Sequence, residues 1–206
     1  MHTFRCAFRF EDGAVEGFTG FGFGEYSARE DCVEQVRRRV VAVAGNHSIL
    51  FIGPPNCGKT MLRAVGLELG LGTTFEARPC PCGYHGSPVR SCDCKAHQIE
   101  RHVRKLPVAD INIEVVQPPQ RELNGRAGTT VAEMKAQIAS MSSHTDLALD
   151  EHSTNLLKCA CVELGIDPDA RNRIIAIART IANLDNSERI GPSHTCEAIN
   201  YRAMIR

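Results

Sequence analysis

Apolar and polar residues alternate with two different periods along this chain, and the change of period marks its parts. Phe4, Cys6, Phe8 and Phe10 alternate with Arg5, Ala7 and Arg9, the two-residue period of a strand. Gly13, Gly17, Gly20, Gly22 and Gly24 then interleave with Phe18, Phe21, Phe23 and Tyr26, a glycine density that predicts turns or a hairpin. From residue 28 to 44 the period becomes helical. Val33, Val36, Val40 and Val43 form one stripe, with Arg37–Arg39 largely on the other face, and Gly45 and Asn46 end the helix. Ser48–Ile52 is a short unbroken apolar run, as in a strand covered on both faces. A helix is predicted from Thr60 to about Leu69, a short strand over Thr73–Ala77 and a polar helix over Ala96–Lys105. Another strand follows over Ile111–Val116, stopped by Pro118 and Pro119.

The remainder reads as helices. Thr130 and Glu133 form a capping box that opens a helix running to about Met141. Asp150–Leu164 is a second helix, stopped by Gly165. Asp167 caps a third, with Pro168 in its first position, ending near Leu184. Ser193 is expected to cap the last, to about Ala203. The predicted organisation is a strand- and glycine-rich segment over 1–27, an α/β core over 28–120 and an all-helical domain over 125–206. The boundary falls in the polar, Gly- and Pro-rich stretch Pro118–Thr129.

Composition narrows the class. In 206 residues, 24 Lys and Arg balance 24 Asp and Glu, which argues against a whole-chain nucleic-acid binder. Arg37–Arg39 and Arg101–Lys105 remain local basic patches able to meet DNA phosphates, although a solvated helix face is the simpler reading. No apolar run is long enough for a bilayer and no secretory leader is evident. A cytoplasmic location without a membrane partner is therefore expected, and the 10 cysteines read as reduced thiols or metal ligands.

Gly53, Pro54, Pro55, Asn56, Cys57, Gly58, Lys59 and Thr60 fit the G-x-x-x-x-G-K-[ST] pattern, between an apolar strand and a helix. The glycines let the loop wrap so that backbone N–H groups face phosphate oxygens. Lys59 places a positive charge at the β- and γ-phosphates, the Thr60 hydroxyl can ligate Mg2+, and the helix start adds its positive end. The expected ligand is ATP with Mg2+.

Cys80, Cys82, Cys92 and Cys94 form two close pairs separated by nine residues, a set that can close a tetrahedral, structural Zn2+ site. His85, His97 and His102 lie nearby as substitutes. The bland alternative is four reduced thiols in a proline-packed loop. Cys159, Cys161 and Cys196 fall in predicted helices and are expected to be small core residues.

Four segments, Val40–Pro55, Cys80–Cys94, Ile111–Val116 and Ala178–Arg202, resemble the AAA+ ATPases of the magnesium-chelatase family, in its competence-linked, ComM-like branch. The resemblance covers roughly residues 30–206. It implies a truncated P-loop parallel sheet with a C-terminal helical lid, nucleotide as ligand, and a homo-oligomer or a related AAA+ subunit as partner. The departures are equally specific. Leu69 runs almost directly into Phe75 and Cys80, so the family's Walker B strand and pore inserts are missing. Arg78 stands where the family has its γ-phosphate-sensing Asn. Pro107–Asp110 replaces the segment that carries the trans-acting arginine. The lid's sensing Arg falls at Asp169, leaving Arg171 as the lid contact on offer.

The resemblance places the phosphate-loop strand between the sensor strand and the last strand. Ser48–Ile52, Thr73–Ala77 and Ile111–Val116 are therefore expected as a three-stranded remnant, with the N-terminal hairpin as a cover for the new edge. The one Walker-B-like string, Leu147–Glu151, reads instead as the start of a lid helix. Without the acids and the trans arginine, hydrolysis should be impaired while binding survives. The alternatives are an active ATP-dependent DNA-processing subunit and a zinc-stabilised interaction module without nucleotide.

Overall fold

The computed structural model describes residues 7–8, 26–27, 30–87, 89–115 and 129–202, with side chains described from Val36 onward. Two short strands, β1 (Ala7–Phe8) and β2 (Tyr26–Ser27), pair antiparallel, Ala7 opposite Ser27 and Phe8 opposite Tyr26. They form a ladder of their own and join neither edge of the main sheet, which corrects the expectation of an edge cover to that extent. The glycine–phenylalanine stretch between them lies outside the described residues.

The rest follows the sequence periods closely. Helix α1 spans Glu30–Gly45, strand β3 Ile49–Ile52, helix α2 Lys59–Glu68, strand β4 Thr74–Ala77, helix α3 Ala96–Val103 and strand β5 Ile111–Glu114. Four more helices follow: α4 Val131–Ala139, α5 Glu151–Leu164, α6 Pro168–Leu184 and α7 Pro192–Arg202. Thr130 and Glu133 exchange their capping bonds, Asp150 accepts from the Ser153 N–H and Asp167 from the Ala170 N–H. Ser193 is not a cap. Helix α7 begins one residue earlier at Pro192, whose missing N–H costs nothing in a first turn, and His194 Nδ1 accepts from the Gly191 N–H at 3.1 Å.

The sheet is parallel in the order β4-β3-β5, with Phe51 level with Glu76 on one side and Ile113 on the other. Its central strand is buried along its whole length. On one face Ile49, Phe51, Ile111 and Ile113 belong to a cluster that also takes in residues of α1, α2 and α4–α7. On the other face Leu50 and Ile52 meet only Phe75, Ala77, Leu106 and Ala109, a thinner cover. Asp110 ties the strand starts together: its Oδ2 accepts from the Ser48 N–H at 2.9 Å and the Ser48 hydroxyl at 2.6 Å.

The edge of β5 is shielded by helices. Arg38 Nη1 donates to Asn112 O at 2.6 Å, and Asn112 Nδ2 donates to Arg202 O at 3.3 Å. The arginine triplet of α1 is thus not a solvated face but is engaged within the chain. Arg37 binds Asp185 and Glu197, Arg38 also lies over the Tyr201 ring at 4.8 Å, and Arg39 is fully buried. The reason is tertiary: α1 packs against β5, α4 and α6 at once, so a helix that looks two-faced in sequence has little surface left.

Candidate functional site

Parallel strands place their carboxy-terminal ends on one side of the sheet, and β3 continues there into the loop Gly53–Thr60. A Cβ on Gly53 would stand 2.2 Å from Val115 O and 2.7 Å from Cys57 Sγ, so only glycine lets the two strand ends approach. Asn56 (φ 59) and Gly58 (φ 97) take left-handed conformations, which turn the chain back onto the start of α2. No side chain caps that helix, the condition of an anion-binding helix start.

Lys59 lies folded into the loop. Its ammonium donates to Gly53 O at 2.8 Å and Pro54 O at 2.6 Å, and its third direction meets Cys57 Sγ at 3.5 Å. Burial pushes the Cys57 thiol up, so the lysine faces a neutral sulfur, a weak acceptor that a phosphate oxygen outcompetes. Thr60, exposed at the loop's end, donates its hydroxyl to Glu76 Oε2 on β4 at 3.3 Å. Glu76 also faces Arg63 of α2 at 3.7 Å, and Arg63 Nε donates to Thr74 Oγ1 at 3.2 Å. Sequence reading missed Glu76. The available signal was a lone acid in the otherwise uncharged run Thr74–Ala77.

The structure does not bring Arg171 to this loop. Two residues on, Arg173 pairs with Asp110 at 3.9 Å, which places the start of α6 at the amino-terminal end of β5, opposite the loop. Asp150 of the Walker-B-like string is a helix cap, as expected, and hydrogen bonding to Ser153 holds its carboxyl below the usual range.

The cysteine loop lies beside the phosphate loop. Sγ of Cys80, Cys82, Cys92 and Cys94 all fall within 4.8 Å of one another, with separations of 3.3 Å (Cys80–Cys82), 3.5 Å (Cys82–Cys92) and 3.7 Å (Cys80–Cys92). A tetrahedron of Zn–S bonds of about 2.3 Å has edges of about 3.8 Å. The donor set therefore fits a thiophilic metal, and a disulfide is not formed. The Gly83 and His85 N–H groups donate to Cys80 Sγ, and the Cys94 N–H to Cys92 Sγ, bonds that would stabilise thiolate charge on a bound metal's ligands. The thiols share charge unevenly. The Tyr84 N–H and then the neighbouring thiols bring Cys82 down to about 6. For Cys92 the Cys94 N–H pulls down, but burial and Cys82 outweigh it and push the thiol up to about 12. His102 Nε2 bonds Arg78 O at 2.9 Å and fastens α3 to this loop. Cys159 and Cys196 are exposed rather than core residues, and Cys161 packs at the core's margin.

Residues 108–202 match the family described as magnesium chelatase, subunit ChlI C-terminal, and residues 31–69 match magnesium chelatase, subunit ChlI. The competence protein ComM of Haemophilus influenzae is 30% identical over 183 residues, covering 74% of this chain and 35% of that protein. The chain belongs to the magnesium-chelatase family and is ComM-like. The uncharacterized protein YifB of Escherichia coli is 27% identical over 154 residues, and that of Salmonella typhimurium 25%, each covering 62% of this chain and 30% of the relative. This family member thus spans about a third of the length of those relatives. Its phosphate loop lies inside the first matched region. β4 and the cysteine cluster lie between the two regions. Among the described residues no helix is long and apolar enough to cross a membrane.

Proposed function

We propose that this member of the magnesium-chelatase family binds ATP with Mg2+ at Gly53–Thr60 and hydrolyses it slowly or not at all. The observation that supports this most is the Lys59 ammonium seated against Gly53 O and Pro54 O inside a loop that turns back at Asn56 and Gly58. Backbone N–H groups of the loop and the start of α2 take phosphate oxygens, Lys59 takes the β- and γ-phosphates, and Thr60 offers a hard oxygen to the cation. The cation neutralises phosphate charge when bound. Slow turnover follows from two departures from the family: the acid-bearing segment after α2 is missing, and Pro107–Asp110 stands where the family carries its trans arginine.

Titration calorimetry with ATP and Mg2+ tests the reading, beside Lys59→Ala and a radiolabelled turnover assay. Binding that Lys59→Ala weakens, with turnover near background, is expected. Robust turnover abolished by Lys59→Ala would instead point to an active ATP-dependent DNA-processing subunit. Absence of ATP binding would leave the zinc-stabilised interaction module.

The second element of the proposal is a structural Zn2+ on Cys80, Cys82, Cys92 and Cys94, supported by their mutual spacing. Four thiolates leave no open position for catalysis. Metal analysis of purified protein should return close to one equivalent, and a value near zero would remove the assignment. Association with further copies or with a related AAA+ subunit is proposed from the family. DNA binding rests only on the exposed residues Arg101, Arg104 and Lys105 around α3.

A further inference from the structure

β4 pairs directly with β3, and the register sets Glu76 level with Phe51. Alternation along a strand then decides which side each carboxylate faces. Phe51 packs with Cys57, Leu62 and Val65 of the loop and α2, so Glu76 rises on that same face. Glu114 is level with Ile52 and belongs to the opposite face, where a Cβ on Gly86 of the cysteine loop would come within 4.0 Å of its Oε1. Of the two carboxylates on the strands flanking β3, Glu76 is the one whose Oε2 accepts from the Thr60 hydroxyl.

Resting on the nucleotide reading above, we infer that Glu76 supplies the carboxylate of the divalent-cation site: with Thr60 it forms a hard-oxygen pair for the Mg2+ that accompanies ATP. Mg2+ keeps several waters and is typically held by one or two carboxylates and substrate phosphates rather than by a full protein cage. One hydroxyl and one carboxylate at the end of a phosphate loop meet that requirement. Glu76 lies in the stretch between the two matched family regions. A competing use of the same carboxylate is the ion pair with Arg63 at 3.7 Å. Pairs of that kind at a surface contribute little, and this one engages Oε1 while Oε2 is on Thr60. Glu76 is placed here as a cation ligand, not as a base. Its role is to hold the cation, and binding without fast turnover is consistent with it.

The test compares ATP affinity in EDTA with affinity in Mg2+ for the full chain and for Glu76→Gln, Thr60→Ala and Arg63→Ala, with thermal melts as a check on folding. In the unsubstituted protein Mg2+ should tighten ATP binding by about ten-fold, the value of one charge-assisted contact. Glu76→Gln should lose that enhancement while keeping its metal-free affinity. Arg63→Ala, which removes the ion pair and the bond to Thr74 but leaves the Glu76 carboxylate in place, should retain the enhancement. Mn2+ in place of Mg2+, followed by its paramagnetic resonance signal on titration with protein and ATP, should show a bound species that Glu76→Gln lacks. An enhancement of equal size in Glu76→Gln overturns the assignment and leaves the nucleotide reading standing. No ATP binding by the unsubstituted protein, with or without metal, overturns both.

Discussion

Gly83 of the cysteine loop lies against Pro55 of the phosphate loop: a Cβ on Gly83 would stand 3.4 Å from Pro55 Cδ and 3.1 Å from Arg78 Cδ. Gly83 also has φ +86, and its N–H bonds Cys80 Sγ at 3.2 Å. The knuckle around the cysteines therefore props one wall of the phosphate loop. On the proposed zinc assignment, a strong chelator should lower the melting temperature and weaken ATP binding together, and adding back Zn2+ should restore both. Melting and ATP titration measured on the same chelated sample check this. Unchanged ATP affinity after verified metal loss would uncouple the two loops.

Lys59→Ala should weaken ATP binding by about 10- to 100-fold, the range of a charge-assisted hydrogen bond to phosphate. It should leave the melting temperature nearly unchanged, because the lysine's partners, Gly53 O and Pro54 O, can be met by water. Gly53→Ala should behave differently. Its Cβ has no room beside Val115 O, so both stability and binding should fall. Calorimetry and melting curves of the two variants separate these outcomes.

Stability should depend on pH in two windows. Burial holds His47 below the ordinary imidazole value while nearby Asp110 opposes the shift, and its Nε2 is 2.9 Å from the Thr180 hydroxyl. The unfolded chain then takes up this proton more readily than the folded one. The stability is complete above about pH 6.5 and is lost as pH falls below it. His47→Asn should flatten that part of a denaturation profile between pH 7.5 and about 5. The caps act lower. The Ala170 N–H holds the Asp167 carboxyl down, and Ser153 does the same for Asp150, so their contribution is present above about pH 4 and fades below it. Denaturant midpoints across the range check both.

Two substitutions probe the helical part. Leu157 is fully buried in the shared core, and Leu157→Ala should cost about 2–5 kcal/mol through lost contacts and the cavity left behind. Asp167→Ala removes an exposed helix cap and should cost clearly less. Equal losses for the two would mean that α5 does not pack as described.

Local features were legible because their causes are local. The helix limits at Gly165 and Pro168 follow from backbone freedom, a fixed φ and a missing N–H within a few residues of chain. The phosphate loop and the paired cysteines could be read for the same reason: their geometry is built from neighbours in sequence. The strand order β4-β3-β5 followed from a family resemblance rather than from periodicity.

Other features were decided only when distant segments met. Arg39 carries a charge that reads as surface, yet packing of α1 among β5, α4 and α6 buries it. Cys159 and Cys196 reverse in the other direction, since a small apolar residue suits an exposed helix face as readily as a core. Glu76 is the sharpest instance. Nothing within reach of it along the chain marks it as a partner of Thr60, 16 residues away. That partnership comes from pairing β4 with β3 in one register, and a slip of one residue would turn its carboxylate to the other face.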